Sequence, residues 1–585
     1  MKCTVCEIGC DISEGNYGRC NMYTNQNSKL IERFPNSYLT VLPITIETMP
    51  MVHFAPKNKF LQVSTVGCNF NCQGCISETL TSNADALSGA LTKASPTDII
   101  SRAKTEECRG IVFCLNDPAA SYYTFLNLAK EAKKANLWVG CSTNGYFTET
   151  ALKSLIPYLD FVNIGLKGSS NARYKECGAK SAAPVFRNIR ILHEAGVHVE
   201  TSAMYINAGD EEILKAAEEV ASVSKDIPLQ VMRFVPFGEA KPELEPTINK
   251  SEHIVDQLRS ILNHVYLFNS PGTEYLTTKC PICGNEIIKR EFYGPMGCRT
   301  IESLDEGKCP CGWQVPLKGP INNEQFTEYG MLGGYRTTRA IEMAHAILFT
   351  LGIRDNEELG DILGDIIKED FIRGLHDRIQ QIDSWLELIK DLAMRTGREK
   401  EGNELIAFIQ ERVDKINEGS KLIKSCPTVY YSMGYPLFAL NAERFETNLV
   451  EAAGGICVNK SLTRKGKPGV NISVNEINKL SPEMMFISGF LSSPASDYVQ
   501  YCKKHGIDNK AVRIGNICNV PTGWDFGSPR WILGFMFLAN TIHPEIYSFD
   551  LENEQKEFYK RFYGIDVENV VTNRDFSRPA ITTTK

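Results

Sequence analysis

Between residues 61 and 245 the chain alternates short apolar runs with amphipathic stretches, which leaves it few architectures. The runs LQVST (61–65), GIVFC (110–114), LWVGC (137–141), DFVNIGL (160–166), VHVETSAMYI (197–206) and LQVMRFV (229–235) read as strands covered on both faces. Helix-like segments such as SYYTFLNLAKEAKKA (121–135) and PVFRNIRILHEA (184–195) separate them. Repeated strand–helix–strand units connect right-handed and build a parallel sheet. Six units are too few to close an eight-stranded barrel. The expected fold is therefore α/β, a partial (β/α)6 TIM-like barrel with its functional groups at the strand C-terminal ends.

At 585 residues the chain exceeds what one core supports, so further modules are expected around 61–245. Residues 1–60 are Cys-rich and turn-rich, and 270–320 form a small Cys/Gly/Pro block. From 335 to 570 long helices (371–397 and 402–423) lead into another α/β stretch, followed by a polar tail at 571–585. A formal charge of −7 argues against a nucleic-acid partner. The N-terminus lacks the apolar core of a secretory signal. The most apolar stretch, near Trp531–Ala539, falls short of the ~20 residues that cross a bilayer. A cytoplasmic protein with no membrane partner is expected.

Twenty cysteines then need an account, because a reducing compartment favours metal or redox roles over disulfides. Three of them, Cys68, Cys72 and Cys75, form C-x3-C-x2-C in the loop directly after the first strand. Thiolates are the ligands of iron–sulfur clusters, and three local ligands leave one iron of a [4Fe-4S] cube open. A structural zinc site would want a fourth ligand. Cys3, Cys6, Cys10 and Cys20 sit on a segment without its own core and read as a metal staple, iron–sulfur or zinc. Cys280-x2-Cys283 and Cys309-x-Cys311, each pair followed by Gly, read as the two knuckles of a zinc ribbon or a rubredoxin-like iron site. The second knuckle is one residue short, so either Cys311 or Cys298 completes the set. The scattered remaining cysteines, Cys177 among them, default to small buried hydrophobes.

MVHFAPKNKFLQVSTVGCNFNCQGC resembles the radical S-adenosylmethionine (SAM) superfamily, and within it the AmmeMemoRadiSam group related to pyruvate formate-lyase activating enzymes. The second strand's Asn-Glu-Pro motif appears here as Asn116, Asp117 and Pro118. Thr-Asn-Gly of the third strand appears as Thr143, Asn144 and Gly145 after Ser142. Asp-Leu-Lys-Gly of the fourth keeps Lys167 and Gly168 but has Gly165 in place of the Asp. The likeness covers roughly residues 1–318. It implies a [4Fe-4S] cluster on Cys68, Cys72 and Cys75, SAM bound at the open iron, and reductive cleavage to a 5′-deoxyadenosyl radical. It also implies an electron donor such as ferredoxin or flavodoxin. Asn116, Asp117, Ser142, Asn144 and Lys167 are the expected cofactor-binding residues, Asn116 and Asp117 as acceptors for the SAM ammonium.

Residues 335–570, from RAIEMAHAILFTLGI to GWDFGSPRWILGFMFLANTIHPEIY, resemble the substrate-binding proteins of iron-siderophore and vitamin B12 transporters, with most of the first lobe missing. The resemblance implies a pocket near Tyr431, Trp524, Phe526 and Arg530 for a metallochelate or tetrapyrrole-like ligand. The competing reading is a docking module whose aromatics are core. His543, at a helix end, reads as a cap rather than a ligand.

Overall fold

The computed structural model describes residues 1–82, 84–237, 240–366, 369–566, 570–571 and 580–581; most of the expected tail lies outside them. All six expected strands form. Labelled from the sheet's edge, they are β2 (Lys59–Ser64), β3 (Gly110–Phe113), β4 (Trp138–Thr143), β5 (Phe161–Leu166), β6 (His198–Tyr205) and β7 (Leu229–Arg233). Two more lie beyond the six-unit expectation: β1 (Thr40–Thr45), antiparallel to β2, and β8 (Val265–Phe268), parallel to β7. The eight pair in chain order from β8 to β1, and no pairing among the described residues joins the two edges. The barrel is partial.

Local signals start the covering helices. Ser95 and Asp98 form a reciprocal capping box with Pro96 in the first turn of Pro96–Thr105, and Thr148 and Thr247 cap two others. The N-terminal end of the barrel is plugged by residues 50–54. Phe54 packs on Phe60, Trp138 and Phe161, while the buried Glu200 accepts from the amides of Val52 and His53. Glu200 also accepts from Gln230, which shares hydrogen bonds with Asn163 and Ser202. This closed polar ladder satisfies the groups that a barrel interior would otherwise orphan.

The Cys/Gly/Pro block forms an antiparallel hairpin, Glu286–Phe292 with Cys298–Ser303, joined by Thr278–Lys279. The expected helix over 371–397 is instead two, Glu369–Arg378 and Ile382–Thr396, separated at Gln381, whose backbone is extended. At the break the Gln380 side chain accepts from the Phe445 amide, and beyond it Trp385 reaches Gly527 and Trp531. Tertiary burial thus overrides a continuous helical pattern. Glu399–Ser420 follows, then a six-stranded mixed sheet centred on Thr428–Ser432 and Met484–Ile487.

The helix Arg336–Thr350 links the barrel to this C-terminal lobe and is buried along nearly all its residues. One continuous apolar core runs from Cys3 through the barrel and this helix to Tyr563. At the helix start, buried Glu328 accepts from the Thr45 amide, the Thr48 hydroxyl and Arg336. Replacing Glu328 with Ala should strand a buried guanidinium and cost about 3–5 kcal/mol. Glu328→Gln should cost less. Denaturant titration followed by tryptophan fluorescence checks this, and equal midpoints for both variants would contradict it.

Candidate metal and cofactor site

The loop leaving β2 carries Cys68, Cys72 and Cys75 past the C-terminal edge of the sheet, where parallel-sheet sites are built. Two glycines make the path possible. Gly67 (φ +83°) lies where a Cβ would come within 2.7 Å of Met22, and Gly74 (φ +70°) within 2.8 Å of Ala240.

The residues expected at neighbouring strand ends converge on this loop. Asn116 accepts from the Thr65 amide at 2.9 Å and donates to the Thr65 hydroxyl and to the carbonyls of Val66 and Gly67. Leu115, just before it, is held at φ +78°, a costly conformation that only a well-determined surrounding sustains. Asp117 caps Pro118–Ser121 through the Ala119 amide. Its other oxygen accepts from the Thr143 hydroxyl at 3.0 Å and the Asn144 amide at 2.7 Å. Burial raises the Asp117 pKa against the lowering pull of these donors. Asn116 and Asp117 are therefore engaged as braces between strand ends rather than presented as free acceptors. Asn144 in turn donates to Asn69 at 2.7 Å and reaches the Cys68 sulfur at 3.8 Å.

Lys167 lies in the field of all three loop thiols, which raise its pKa against the opposing effect of burial. Its ammonium is 3.6 Å from where a Cβ on Gly165 would stand, so the lysine fills the ground that the missing Asp leaves. Ser142 meets Tyr335 (Oγ to Oη 3.4 Å), a residue that arrives from the start of the linking helix. Cys177, expected as an inert hydrophobe, instead lies beside Cys72, and its carbonyl accepts from the Asn71 amide at 2.9 Å. No spacing signal in the sequence ties Tyr335 or Cys177 to the cysteine loop. Three thiols on one loop, a lysine in their field and braced strand ends suit a cluster with one open iron.

Behind the same loop, Cys3, Cys6, Cys10 and Cys20 line one small apolar pocket together with Asn69. Burial pushes Cys6 up to about 11 and Cys20 up to about 12. Asn69, next to Cys68, accepts from Asn144 and lines the pocket of the N-terminal thiols, so these thiols abut the cysteine loop through one side chain.

In the hairpin module Cys280, Cys283, Cys309 and Cys311 have all their sulfurs within 4.8 Å of one another. Cys280 and Cys311 stand 3.5 Å apart, Cys283 and Cys309 3.4 Å. A tetrahedral zinc with Zn–S of about 2.3 Å places its sulfurs at about 3.8 Å, so the four fit. Gly284 and Gly312, at φ +77° and +97°, turn each knuckle. Cys298 is not the substitute ligand. It is buried with Val52, Met232, Tyr266 and Phe268 because the register of the hairpin turns it inward.

The chain matches the radical SAM superfamily over residues 63–220 and the periplasmic binding protein family over residues 331–500. This chain carries a radical SAM domain fused to a periplasmic-binding-protein domain. An uncharacterized protein of Methanocaldococcus jannaschii is 26% identical over 301 residues, 50% of this chain and 88% of that protein. A periplasmic solute binding protein of Veillonella parvula is 18% identical, at TM-score 0.29 over 32% of this chain and 58% of that one. An ABC transporter solute binding protein of Sulfurospirillum deleyianum is 24% identical, at TM-score 0.28 over 32% and 59%. The chain thus spans under two thirds of the length of these solved structures.

Of the four residues expected to line a ligand pocket in the periplasmic-binding-protein domain, three are core. Tyr431 is buried and donates to Asp525, Trp524 is buried, and Arg530 donates to Tyr559 at 2.8 Å. Phe526 alone faces a cavity. His543 ends the helix Trp531–Ile542 and bonds the Gly454 carbonyl and Glu545. No helix among the described residues is long and apolar enough to cross a membrane.

Elemental analysis of purified Cys311→Ser protein should show about one metal equivalent fewer per chain, and Cys298→Ser should keep it. Loss on Cys298→Ser alone would reverse the ligand assignment.

Proposed function

We propose that the chain is a cytoplasmic radical SAM enzyme that reductively cleaves S-adenosylmethionine and abstracts hydrogen from a protein, peptide or chelate-bound substrate. The observation that carries this reading is that Cys68, Cys72 and Cys75 share one loop at the barrel's C-terminal edge, all three in the field of Lys167, with strand ends braced around them. A [4Fe-4S] cluster on these thiols would supply one electron from a ferredoxin- or flavodoxin-type donor, splitting SAM into methionine and a 5′-deoxyadenosyl radical.

The chain's own residues then have distinct tasks. Asn116 and Asp117 fix the loop and the third strand's end, so the thiols are set before any cofactor arrives. Lys167 places a cation beside thiolates whose charge would otherwise accumulate. Asn144, held by Asn69 and the Tyr146 amide, and Ser142, against Tyr335, stand at the same edge to orient SAM. Tyr335 and the linking helix roof this edge, and the reduced access of water protects a radical from quenching. The hairpin cysteines hold structural zinc, and the N-terminal four hold zinc or a second iron–sulfur cluster. The periplasmic-binding-protein domain, in this reading, takes a metallochelate or tetrapyrrole-like ligand.

Anaerobic reconstitution with iron and sulfide, then SAM and dithionite, should yield 5′-deoxyadenosine by mass spectrometry. Cys72→Ala should abolish it, while Asp117→Ala should lower it by about tenfold or more through a misplaced loop. Absence of product from protein shown to hold iron and sulfide would overturn the cleavage reading and favour metallochelate or iron handling.

A further inference from the structure

The clustered cysteines fall into two kinds. In the hairpin module all four sulfurs lie within 4.8 Å of one another, as ligands of one tetrahedral metal ion must. Among the described residues no other three thiols are gathered so closely, neither on the loop of Cys68, Cys72 and Cys75 nor in the set Cys3, Cys6, Cys10 and Cys20. Yet the latter four line a single pocket. A cubane carries each thiolate on a different iron, so its sulfurs stand farther apart than those around one zinc. By spacing, the N-terminal set matches the cysteine loop and not the hairpin.

The backbone fixes this arrangement. The Cys3 amide donates to the Cys10 carbonyl at 2.8 Å and the Gly9 amide to the Cys6 carbonyl at 3.0 Å, with Gly9 at φ +58°, so residues 3–10 close into a loop bearing three thiols. A second turn, in which the Gly18 amide donates to the Tyr23 carbonyl at 2.9 Å, returns Cys20 to them. The loop docks on the barrel's C-terminal edge, where the Glu7 amide donates to the Tyr146 carbonyl and the Thr148 amide to the Val5 carbonyl, just beyond Asn144. The Arg19 amide donates to the Cys10 sulfur at 3.5 Å, as the Phe70 amide does to the Cys68 sulfur at 3.4 Å. Amides aimed at sulfur favour the thiolate, the form that binds metal.

Asn69 supplies an independent pointer. It is 3% exposed, and its Oδ1 accepts from Asn144 at 2.7 Å. Its Nδ2 is buried and has no hydrogen-bond partner, a costly state that buried donors of folded chains seldom keep. Asn69 lines the thiol pocket beside Cys6, whose pKa it draws down against the larger upward effect of burial. A neutral thiol is a weak acceptor, whereas the sulfurs of an iron–sulfur cluster accept hydrogen bonds that tune its potential. The ground between the thiols is small, as suits an occupant bonded to its walls rather than packed against them.

We infer that Cys3, Cys6, Cys10 and Cys20 hold a second [4Fe-4S] cluster, and that it passes electrons to the cluster on Cys68, Cys72 and Cys75. Asn69 is the joint between them, next to Cys68 in sequence and donating through Nδ2 to a sulfur of the second cluster. Cys3 and Cys6 are buried while Cys10 and Cys20 are half-buried, so a low-potential donor protein meets the second cluster on the Cys10 side. One electron leaves the donor's reduced flavin or iron–sulfur centre, reduces the second cluster and moves on to the first; no proton or covalent bond moves with it. The relay rests on the radical SAM reading, and the identity of the metal does not.

The test uses the full chain, purified and reconstituted anaerobically with iron and sulfide, with thermal melts to confirm that each variant is folded. A chain carrying Cys68→Ala, Cys72→Ala and Cys75→Ala together should keep about four irons and four sulfides, a visible charge-transfer band, and a paramagnetic signal on reduction with dithionite. Wild type should hold about twice that iron. Zinc in place of iron, or neither metal, in the natively melting triple variant would overturn the inference. Asn69→Leu, which keeps the side chain's bulk and removes the donor, should lower the midpoint potential of that signal, and an unmoved potential would overturn the part given to Asn69. With Cys10→Ala and Cys20→Ala together, the loop cluster should remain and lose its fast reduction by reduced flavodoxin in stopped flow, while dithionite still reduces it. Reduction by flavodoxin at the wild-type rate would overturn the relay. Iron and sulfide held by the triple variant, with no 5′-deoxyadenosine from wild type, would uphold the second cluster while the cleavage reading falls.

Discussion

Burial of the helix Arg336–Thr350 is the constraint on which the rest of the molecule turns. A helix with nearly every residue out of water must pair its own polar groups, and this one carries Arg336, Arg339, Glu342 and His345. Glu328 pairs with Arg336, and Arg339 with Glu342 within the helix, which meets the demand of its charged groups. With it met, the helix can serve both the barrel and the C-terminal lobe, and one apolar core spans the two. The same placement brings Tyr335 over the sheet's C-terminal edge and sets two arginines into the neighbouring pocket.

The cysteine loop follows a related economy. Its thiols lie on a loop without regular structure, and loops are imprecise supports. Precision comes instead from Asn116 and Asp117, whose buried hydrogen bonds tie the ends of β2, β3 and β4 together. Both residues stand in strand-end motifs where direct cofactor contact was expected, and both spend their polar atoms on the scaffold. Lys167, over the gap at Gly165, supplies the loop's nearby positive charge.

Much of this was legible before any tertiary information. Period-free apolar runs bounded by helical stretches mark strands of a parallel sheet, because both faces of such strands are buried. All six are present within a few residues of their expected ends. The metal-type cysteine groups were readable because ligand spacing is local, and the short second knuckle closed on Cys311 through turns at Gly284 and Gly312. The edge strands β1 and β8 escaped because each sits in or beside an irregular block, β1 with Pro43 inside it and β8 only four residues long. The break at Gln381 escaped because helical periodicity says nothing of a tryptophan that must reach Gly527.

The amino-acid order alone determined the barrel's strands, the cysteine loop at its C-terminal edge and the first Cys-x2-Cys knuckle, since each depends on neighbours a few residues apart. Only tertiary structure decided what faces what. It turned Tyr431, Trp524 and Arg530 into core while leaving Phe526 at a cavity, and it set Cys177 beside Cys72. It also brought Arg336 together with Arg444 and Lys467, both more than a hundred residues further on, around one pocket. The physical reason is that orientation is fixed by burial against distant chain, and that information is not written in any local window of sequence.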